Sequence, residues 1–354
     1  MKELILRQDI EEIIGGVSNV IQGLKGKTIL LSGGCGFLGR YFSTILTAMN
    51  QTLLDPPCKL IAIDNFITAD SCARLDDGTE NYRLIEHNII EPLVLDEKID
   101  FVIHAAGIAS PFYYRAYPLE TLDVAVRGTR NLLEVAKTNQ ARFLFFSSSE
   151  IYGDPDMSHV PIPESYRGNV SCQGPRACYD EGKRVGETLC YIYHGKFGVA
   201  SNVVRPFNVF GPGMKENDYR VLPNFANRIK RLKPLKIYGH GNQTRTFCYI
   251  TDAINGFLRV ALKGVPGEAY NIGNPEPEIS MLDLAQLSSK AVGRDVGYDL
   301  IEYPDSYPAD EPIRRCPDIR KARLQLGYEP RVSLLDGLQR FYEWALENYA
   351  GIQI

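Results

Sequence analysis

Residues 27–39 read KTILLSGGCGFLG, a short apolar run that ends in glycines at G-x-x-G-x-x-G spacing and leads into the helical pattern RYFSTILTAM. The predicted order is therefore strand, glycine turn and helix. Gly33 turns the chain, Gly36 lets the backbone approach a pyrophosphate, and Gly39 lets the helix pack on the strand. The N terminus of the helix attracts phosphate charge. The stretch predicts a strand, turn and helix unit that can bind a dinucleotide.

A second apolar run, KLIAID, ends in Asp64. In a dinucleotide-binding fold this is where an acid meets the adenosine ribose. A carboxylate there accepts both ribose hydroxyls and repels a 2′-phosphate, so the sequence favours NAD over NADP. The interval from Gly39 exceeds the usual ~20 residues, and the loop NQTLLDPPC accounts for the excess.

The same rhythm continues through YRLIEHN, DFVIHAA, RFLFFSSS and SNVVRPFNV, with helix-like segments such as LETLDVAVRGTRNLLEVAKTN between them. Short apolar runs alternating with amphipathic helices predict an α/β fold, a Rossmann-type doubly wound parallel sheet covered on both faces. Ligands bind at the carboxyl ends of such strands. The residues expected there are Asp64, Asn88, Ala105, Ala106, the serines 147–149 with Glu150, and Asn208. We expect His104 to be structural.

After Phe207 the pattern changes to a smaller mixed α/β substrate domain at the C-terminal end. FNVFGPGMKENDYRVLPNFANRIKRL predicts a loop and a helix, KIYGHGNQTRTFCYI a hairpin or short strands, GEAYNIGN a strand, and MLDLAQLSSKAV and the stretch from about Leu334 to Tyr349 helices. We predict a helical N-terminal extension (1–25), an NAD-binding Rossmann domain (26–206) with a returning segment near 247–273, and an interleaved substrate domain (207–350).

The chain has 354 residues and a net charge of -4, without a basic block that would indicate nucleic acid or an anionic membrane as a partner. No apolar run approaches the roughly 18 residues needed to span a bilayer. The N-terminal MKELILRQDIEEII carries acids where a secretory signal has an apolar core, so we expect a cytoplasmic protein that begins with an amphipathic helix. The eight cysteines show no C-x-x-C pair and no Cys/His cluster. Buried reduced thiols are therefore expected rather than disulfides, and no metal site.

Residues 174–187, GPRACYDEGKRVGE, place Tyr179 and Lys183 four residues apart in a segment with a helical pattern. Residues at i and i+4 share a helix face. A lysine ammonium near a phenol favours the phenolate, so the pair predicts a tyrosine whose pKa is lowered from about 10 and which acts as a base. A Y-x-x-x-K match alone could equally be a surface pair.

Four arginines in the C-terminal part are candidates for binding a second diphosphate and an acidic sugar. They are Arg220, Arg245, Arg314 and Arg315.

The combination of GGCGFLG, Asp64, HAAG, SSSEIYG, Tyr179 with Lys183, and RPFNVFGP resembles the extended short-chain dehydrogenase/reductases that modify nucleotide sugars. The resemblance covers about residues 26 to 345. Within that superfamily the chain is most similar to the UDP-glucuronate decarboxylases, on SSSEIYGDP, GPRACYDEGKRVGETLCYIY, RPFNVFGPGM, NDYRV, GNQTRTFCYITD and RRCPDIRKARLQLGYEP.

The resemblance implies a role for each matching residue. Tyr179 takes the proton of the sugar 4-hydroxyl while the C4 hydride passes to NAD, Lys183 holds the cofactor ribose, and Ser148 bonds the 4-oxygen. Glu150 and Arg315 act near C5 and the carboxylate. The cofactor set is Gly33, Gly36, Phe37, Leu38, Gly39, Asp64, Asn65, Asn88, Ile89, Ala105, Tyr179 and Lys183. The UDP-sugar set is Tyr114, Asn208, Arg220, Tyr238, Gln243, Arg245 and Arg315.

The resemblance also implies the reaction. Once C4 is a ketone, the β-carboxylate leaves as carbon dioxide, and return of the same hydride gives a pentose without net consumption of NAD. The family also implies a homodimer, joined by a four-helix bundle of LETLDVAVRGTRNLLEVAK and the helix that bears Tyr179.

Three alternative functions compete with decarboxylation as interpretations of the sequence. Nucleotide-hexose 4,6-dehydratases carry an aspartate where this chain has Ser149, and a serine hydroxyl is too weak an acid to protonate a departing 6-hydroxyl. A 4-epimerase for a related hexose or hexuronate is compatible with the segments ASPFYYR and DVAVRGT, which differ from the family's A-S-P-P-N-Y-M and K-T-N-x-x-G-T. A redox-sensing dinucleotide-binding module is the non-enzymatic alternative, although such modules generally lack the Tyr/Lys pair.

Overall fold

The computed structural model describes residues 5–69, 80–303 and 312–352. The strands are β1 Thr28–Ser32, β2 Lys59–Asp64, β3 Tyr82–Glu86, β4 Phe101–His104, β5 Arg142–Phe146, β6 Ser201–Pro206, β7 Val209–Phe210, β8 Leu235–Tyr238, β9 Thr244–Arg245, β10 Cys248–Tyr249, β11 Ala269–Ile272, β12 Ile279–Ser280, β13 Tyr298–Ile301 and β14 Arg314–Arg315.

The α-helices are α1 Arg7–Val17, α2 Phe37–Thr52, α3 Pro111–Ala116, α4 Pro118–Asp123, α5 Thr129–Asn139, α6 Ala177–Phe197, α7 Val221–Lys230, α8 Ile250–Lys263, α9 Met281–Ala291, α10 Arg320–Leu326 and α11 Leu334–Asn348. A π-helical turn, Val124–Gly128, joins α4 to α5, so LETLDVAVRGTRNLLEVAKTN is helical almost throughout.

The main sheet has seven strands in the order β11-β6-β5-β4-β1-β2-β3, and every neighbouring pair is parallel. The strand order reverses between β1 and β4, which makes the carboxyl ends of these two strands the expected ligand crevice. The predicted doubly wound parallel sheet is confirmed.

Both faces of the sheet are covered, as a run such as TILLS requires. On β1, Ile29 and Leu31 belong to one hydrophobic cluster and Leu30 to the cluster on the opposite face, and all three side chains are fully buried. Alternate side chains of a strand point to opposite faces, so one apolar run contributes to two cores.

The C-terminal part adds small sheets that frame the ligand crevice. Strand β9 pairs antiparallel with β12 and parallel with β14, while β8 pairs parallel with β13. The hairpin predicted for KIYGHGNQTRTFCYI is therefore wrong and the alternative of short strands is correct. The partners of these strands come from more than 30 residues away along the chain, so the local turn glycines did not reveal the pairing.

The chain returns to the main sheet after its first excursion. Strand β11 pairs with β6 at the edge of the seven-stranded sheet, within the segment predicted to return there. The domain boundaries at 25/26 and 206/207 stay predictions.

The N-terminal extension is part of the packed structure. Helix α1 contributes Ile13 and Val17 to the core, and its Asp9 is fully buried. The Tyr249 hydroxyl donates to Asp9 Oδ2 at 2.9 Å, and Arg340 on α11 bonds both Asp9 and Glu12. The extension thereby links α11 to the region of α2 and α8.

Every helix within the described ranges is too short or too polar to span a lipid bilayer. The described cysteines are free thiols; Cys172 is exposed, which contradicts the expectation of burial, Cys178 is partly buried, and Cys35, Cys58, Cys190, Cys248 and Cys316 are buried. Cys72 lies outside the described residues.

Candidate active site

The glycine turn after β1 has a shape that larger residues would disrupt. Gly33 has a φ of +75°, and a Cβ there would lie 2.8 Å from the backbone of Ala106. A Cβ on Gly39 would lie 2.0 Å from the Gly33 carbonyl oxygen. Helix α2 follows at once, and in the described part of the chain no side chain caps its N terminus. Its first N–H groups are thus available to an anion.

Asp64, at the carboxyl end of β2, faces this turn. Its Oδ2 accepts a hydrogen bond from the Cys35 amide and its Oδ1 one from the Phe66 amide, both at 2.9 Å. The two bonds fix the carboxylate at the mouth of the crevice and leave each oxygen a further lone pair. Glycine turn, uncapped helix and fixed carboxylate together fit the diphosphate and ribose of NAD.

A cavity of about 330 Å³ runs along these elements. The whole sequence-derived cofactor set lines it: Gly33, Gly36, Phe37, Leu38, Gly39, Asp64, Asn65, Asn88, Ile89, Ala105, Tyr179 and Lys183. Ser147, Ser148 and Glu150 also line it. The fold thus brings residues from β1 to α6 into one groove.

Tyr179 and Lys183 are both buried on α6, with 8% and 6% of their surface exposed. Lys183 Nζ donates to the Phe146 carbonyl oxygen at 2.7 Å and lies 5.8 Å from the centre of the Tyr179 ring. Burial lowers the pKa of Lys183 to about 8. The lysine is therefore anchored on the end of β5, beside the cofactor groove.

The expected lowering of the tyrosine pKa is wrong for this structure. Burial raises the pKa of Tyr179 to about 12, and a hydrogen bond with the Ser148 side chain opposes the rise only in part. Desolvation disfavours the phenolate, whereas the ammonium of Lys183 is directed at a carbonyl oxygen. Sequence spacing placed the two residues on one face but could not reveal this balance.

Glu150 sits at the centre of a charged cluster. Both its oxygens accept from the terminal nitrogens of Arg315, with 2.8 Å between Nη2 and Oε2, and Oε2 also accepts from Arg176 Nη2. Arg176 Nε in turn donates to Asp180 Oδ2 at 3.3 Å. The two guanidinium groups hold the pKa of Glu150 well below its usual range despite its burial. Arg176 and Asp180 were absent from the predicted site, although both belong to the quoted GPRACYDEGKR run.

A second cavity, of about 650 Å³, lies beyond Glu150 between the main sheet and the C-terminal part. It is lined by six of the predicted substrate residues: Asn208, Arg220, Tyr238, Gln243, Arg245 and Arg315. Glu150, Asn208 and Arg220 also line the cofactor cavity, so the two spaces meet at these residues. Arg314 instead pairs with Glu278, through Nη2 and Oε2 at 2.5 Å.

The remaining predicted substrate residue, Tyr114, is buried against the catalytic candidate. Its ring stacks on that of Tyr179 with centroids 5.6 Å apart and an interplanar angle of 16°. It therefore supports Tyr179 from α3.

Part of the segment ASPFYYR lines the second cavity and is held in place by side-chain contacts. Phe112 stacks on Tyr219 at 5.3 Å, and Asn217 Nδ2 donates to the Tyr113 hydroxyl at 3.1 Å. Arg115 lines the cavity, as do Arg228, Arg231 and Lys236, which belong to none of the recognised motifs. The larger cavity is thus markedly cationic and suited to a polyanionic ligand.

His104 is structural, as expected. It is fully buried at the end of β4, where Nδ1 is 2.8 Å from Ser32 Oγ and Nε2 is 3.1 Å from Thr129 Oγ1. Burial lowers its pKa to about 3, so the ring is neutral.

Comparison with known proteins agrees with this geometry. A family model described as "NAD dependent epimerase/dehydratase family" matches residues 29–273. UDP-glucuronic acid decarboxylase 1 of Xenopus tropicalis is 38% identical over 98% of this chain and 84% of its own length. UDP-glucuronic acid decarboxylase 5 of Arabidopsis thaliana is 39% identical over 88% of this chain and 86% of its own length.

Among solved structures, the UDP-glucuronic acid 4-epimerase of Bacillus cereus in complex with UDP-glucuronic acid and NAD has a TM-score of 0.75. It is 27% identical and covers 91% of this chain and all of its own.

Proposed function

The chain belongs to the NAD dependent epimerase/dehydratase family and is an enzyme, and we propose that it converts UDP-glucuronate into UDP-xylose and carbon dioxide. Bound NAD would supply a hydride acceptor for sugar C4 and would return the same hydride, so that no cofactor is consumed. The residues of the chain bind and orient the sugar, move its protons and balance its charges.

Tyr179 would remove the proton of the 4-hydroxyl. It lines the cofactor cavity and is hydrogen-bonded with Ser148, which supports a chain from the sugar oxygen through both hydroxyls. General base catalysis of this kind contributes typically 10²–10⁴-fold to the rate. Lys183, on the same face of α6, would hold the cofactor ribose and add positive charge near the phenol.

The observation that carries the proposal is the pair of guanidinium groups on Glu150, where the two cavities meet. A neutral hexose has no carboxylate to offer the buried Arg315 and the half-buried Arg176, whereas a hexuronate has one. With C4 a ketone, the C5–C6 bond breaks as carbon dioxide leaves, and its electron pair is delocalised onto the C4 oxygen. Glu150 and Arg315 would then guide reprotonation at C5.

The diphosphate would lie in the larger cavity. Arg220, which is fixed by Asp218 through a 2.5 Å ion pair, and Arg245 on β9 both line it. Tyr238, Gln243 and Asn208 line the same space and offer hydrogen bonds to the nucleotide. The arrangement supports UDP-sugar binding across the two parts of the chain.

Epimerisation at C4 is the second candidate, because a solved relative with UDP-glucuronic acid bound is a 4-epimerase and because Arg115 adds a cation to the cavity. Ser149 continues to disfavour dehydration.

The test is incubation of the purified protein with UDP-glucuronate and NAD, followed by mass spectrometry. We expect a product lighter by one carbon dioxide that co-elutes with UDP-xylose, and no product from a Tyr179→Phe variant. An unchanged mass with a new sugar stereoisomer would establish the epimerase instead.

We also propose a homodimer built on α4, α5 and α6. Exposed apolar side chains on α4 and α6 support it, notably Leu119 at 73%, Ile192 at 43% and Val185 at 37% exposed. Sedimentation of a dimer, and of a monomer for Leu119→Asp combined with Val185→Asp, is the expected result. A monomeric parent protein at micromolar concentration would contradict the proposal.

We further propose a cytoplasmic location. The cysteines that the structure describes are free thiols, which supports it. Fluorescence microscopy of the tagged protein would test it, and secretion would refute it.

A further inference from the structure

The guanidinium of Arg176 is shared between two carboxylates on different elements. It donates to Glu150, which follows β5, and to Asp180, which lies one turn further along α6. Arg315, from β14, binds Glu150 from the other side. Asp180 is 6% exposed and Arg315 is 3% exposed, so water does little to screen these charges.

Two polar atoms of this cluster lack a hydrogen-bond partner among the described residues. They are Oδ1 of Asp180 and Nε of Arg315, both fully buried. A buried carboxylate oxygen without a donor is unfavourable, and so is a buried guanidinium N–H without an acceptor. The hydrogen bonding of the cluster is therefore incomplete. Asp180 Oδ1 could take up a proton, and Arg315 Nε could donate to an anion.

The charge balance of the cluster decides whether it can bind a further anion. With both acids ionised, Glu150 and Asp180 balance Arg176 and Arg315, while Arg245, whose charge also acts on Glu150, faces the diphosphate of the proposed substrate. A carboxylate that enters beside Arg315 would leave an uncompensated negative charge in a buried site, which is unfavourable. Uptake of one proton by one of the acids restores neutrality.

Asp180 is the acid suited to take that proton. Both oxygens of Glu150 accept charged hydrogen bonds, which stabilise its ionised form. Asp180 has a single bond to Arg176, and burial together with the nearby Glu150 raises its pKa. The charged and titratable groups whose fields reach Asp180 are Glu150, Arg315 and Tyr114 from other elements, and Arg176, Cys178 and Tyr179 on its own helix.

We propose that Asp180 is a positioning residue that binds one proton when a carboxylated nucleotide sugar enters, and so allows Arg176 and Arg315 to accept the sugar carboxylate. The proton comes from solvent and returns to it when the carboxylate is lost. The preference of the enzyme for its carboxylated substrate over its neutral-sugar product therefore increases as the pH falls. This inference rests on the proposed function, because it takes the substrate to carry a carboxylate.

Proton uptake on binding is measured by calorimetry in two buffers of different ionisation enthalpy, such as phosphate and Tris. The Tyr179→Phe holoenzyme is used, because it prevents turnover and removes the phenol from the titration. Burial raises the pKa of Asp180 to about 7, so the measurement is made above that pH, where the acid of the free enzyme is ionised. We expect uptake that approaches one proton with UDP-glucuronate and no uptake with UDP-xylose, which lacks the carboxylate. The affinity for UDP-glucuronate should fall about tenfold per pH unit on the alkaline side, whereas that for UDP-xylose stays constant.

Variants assign the proton to Asp180. In the same background, Asp180→Asn should abolish both the uptake and the pH dependence. Asp180→Glu should keep them, and so should Glu181→Gln, a change at the neighbouring half-buried acid that pairs with Arg184. Uptake that persists in Asp180→Asn would overturn the inference. Its absence in the Tyr179→Phe protein that still carries Asp180 would overturn it too, and that result does not depend on the folding of Asp180→Asn. If UDP-xylose bound and UDP-glucuronate failed to bind at any pH, that result would refute the proposed function as well as the inference about Asp180.

Discussion

The rings of Tyr114 and Tyr179 stack at 5.6 Å, so a residue on α3 sets the position of the candidate base on α6. Tyr114 is 3% exposed, and its ring makes up part of the apolar wall that buries the Tyr179 phenol. The stack connects the chain-specific segment ASPFYYR with the chemistry.

Replacement of Tyr114 should distinguish the effect of its ring stacking on Tyr179 from the effect of its hydroxyl group. Tyr114→Phe keeps the stack, so kcat should stay within about threefold of the parent. Tyr114→Ala removes the wall and should lower kcat by up to about tenfold, since such aromatic pairs are worth about 0.5–1.5 kcal/mol beyond their burial and about 1.36 kcal/mol corresponds to a tenfold change in rate. Steady-state kinetics measures both. Equal loss in the two variants would assign the effect to the hydroxyl rather than to the stack.

The phenol of Tyr179 should be hard to ionise in the protein without NAD. Burial raises its pKa to about 12, so it stays neutral at pH values where exposed tyrosines ionise, near 10. The ultraviolet difference spectrum between the parent and Tyr179→Phe should show no tyrosinate below pH of about 10. A tyrosinate signal that already appears at neutral pH would show that Lys183 outweighs the burial.

Gly39→Ala should abolish NAD binding. The added Cβ would lie 2.0 Å from the Gly33 carbonyl oxygen, so the glycine turn and the start of α2 must separate. Gly15→Ala is the matched control, because its Cβ meets nothing within 4 Å on helix α1. That control should bind NAD normally and gain about 0.4–1 kcal/mol in the free energy of unfolding. Fluorescence titration and thermal melting distinguish the two.

The N-terminal extension should make stability depend on pH through Asp9. Burial raises the pKa of Asp9 from 3.8 to about 6. Between these two pH values the folded chain therefore keeps the Asp9 proton, whereas the unfolded chain has released it. The contribution of protonated Asp9 to the free energy of unfolding is complete below pH of about 4. It is lost as the pH rises through about 6, which lowers the free energy of unfolding by up to about 3 kcal/mol.

Asp9→Asn should flatten this part of the pH profile of the free energy of unfolding, measured by urea denaturation. A steeper profile in the variant would show that Arg340 keeps Asp9 ionised.

The fold could be predicted largely from local pattern. The strands β1 to β6 and β11 lie where the short apolar runs end in polar or small residues, and the cofactor residues follow because the carboxyl ends of parallel strands share one edge. The pairing of β9 with β12 and β14 could not be predicted, because two-residue strands carry almost no periodic signal.

The sequence predicted which residues belong to the candidate site, with two exceptions, but not how their side chains contact one another. Residues 174–187 identified Tyr179 and Lys183 through helical spacing, and the resemblance identified Glu150 and Arg315. Arg176 and Asp180 were missed because an arginine and an aspartate on a helix are ordinarily solvated.

By itself, the sequence determined the glycine turn, the doubly wound sheet and the helix face that carries Tyr179 and Lys183, because backbone conformation and periodicity depend on neighbours along the chain. Only the tertiary structure decided that Arg315 meets Glu150 across 165 residues, that Asp180 is buried with an unpartnered oxygen, and that the Tyr179 phenol is held neutral. Those properties depend on which distant groups exclude water and bring charges together, and the folded chain alone sets both.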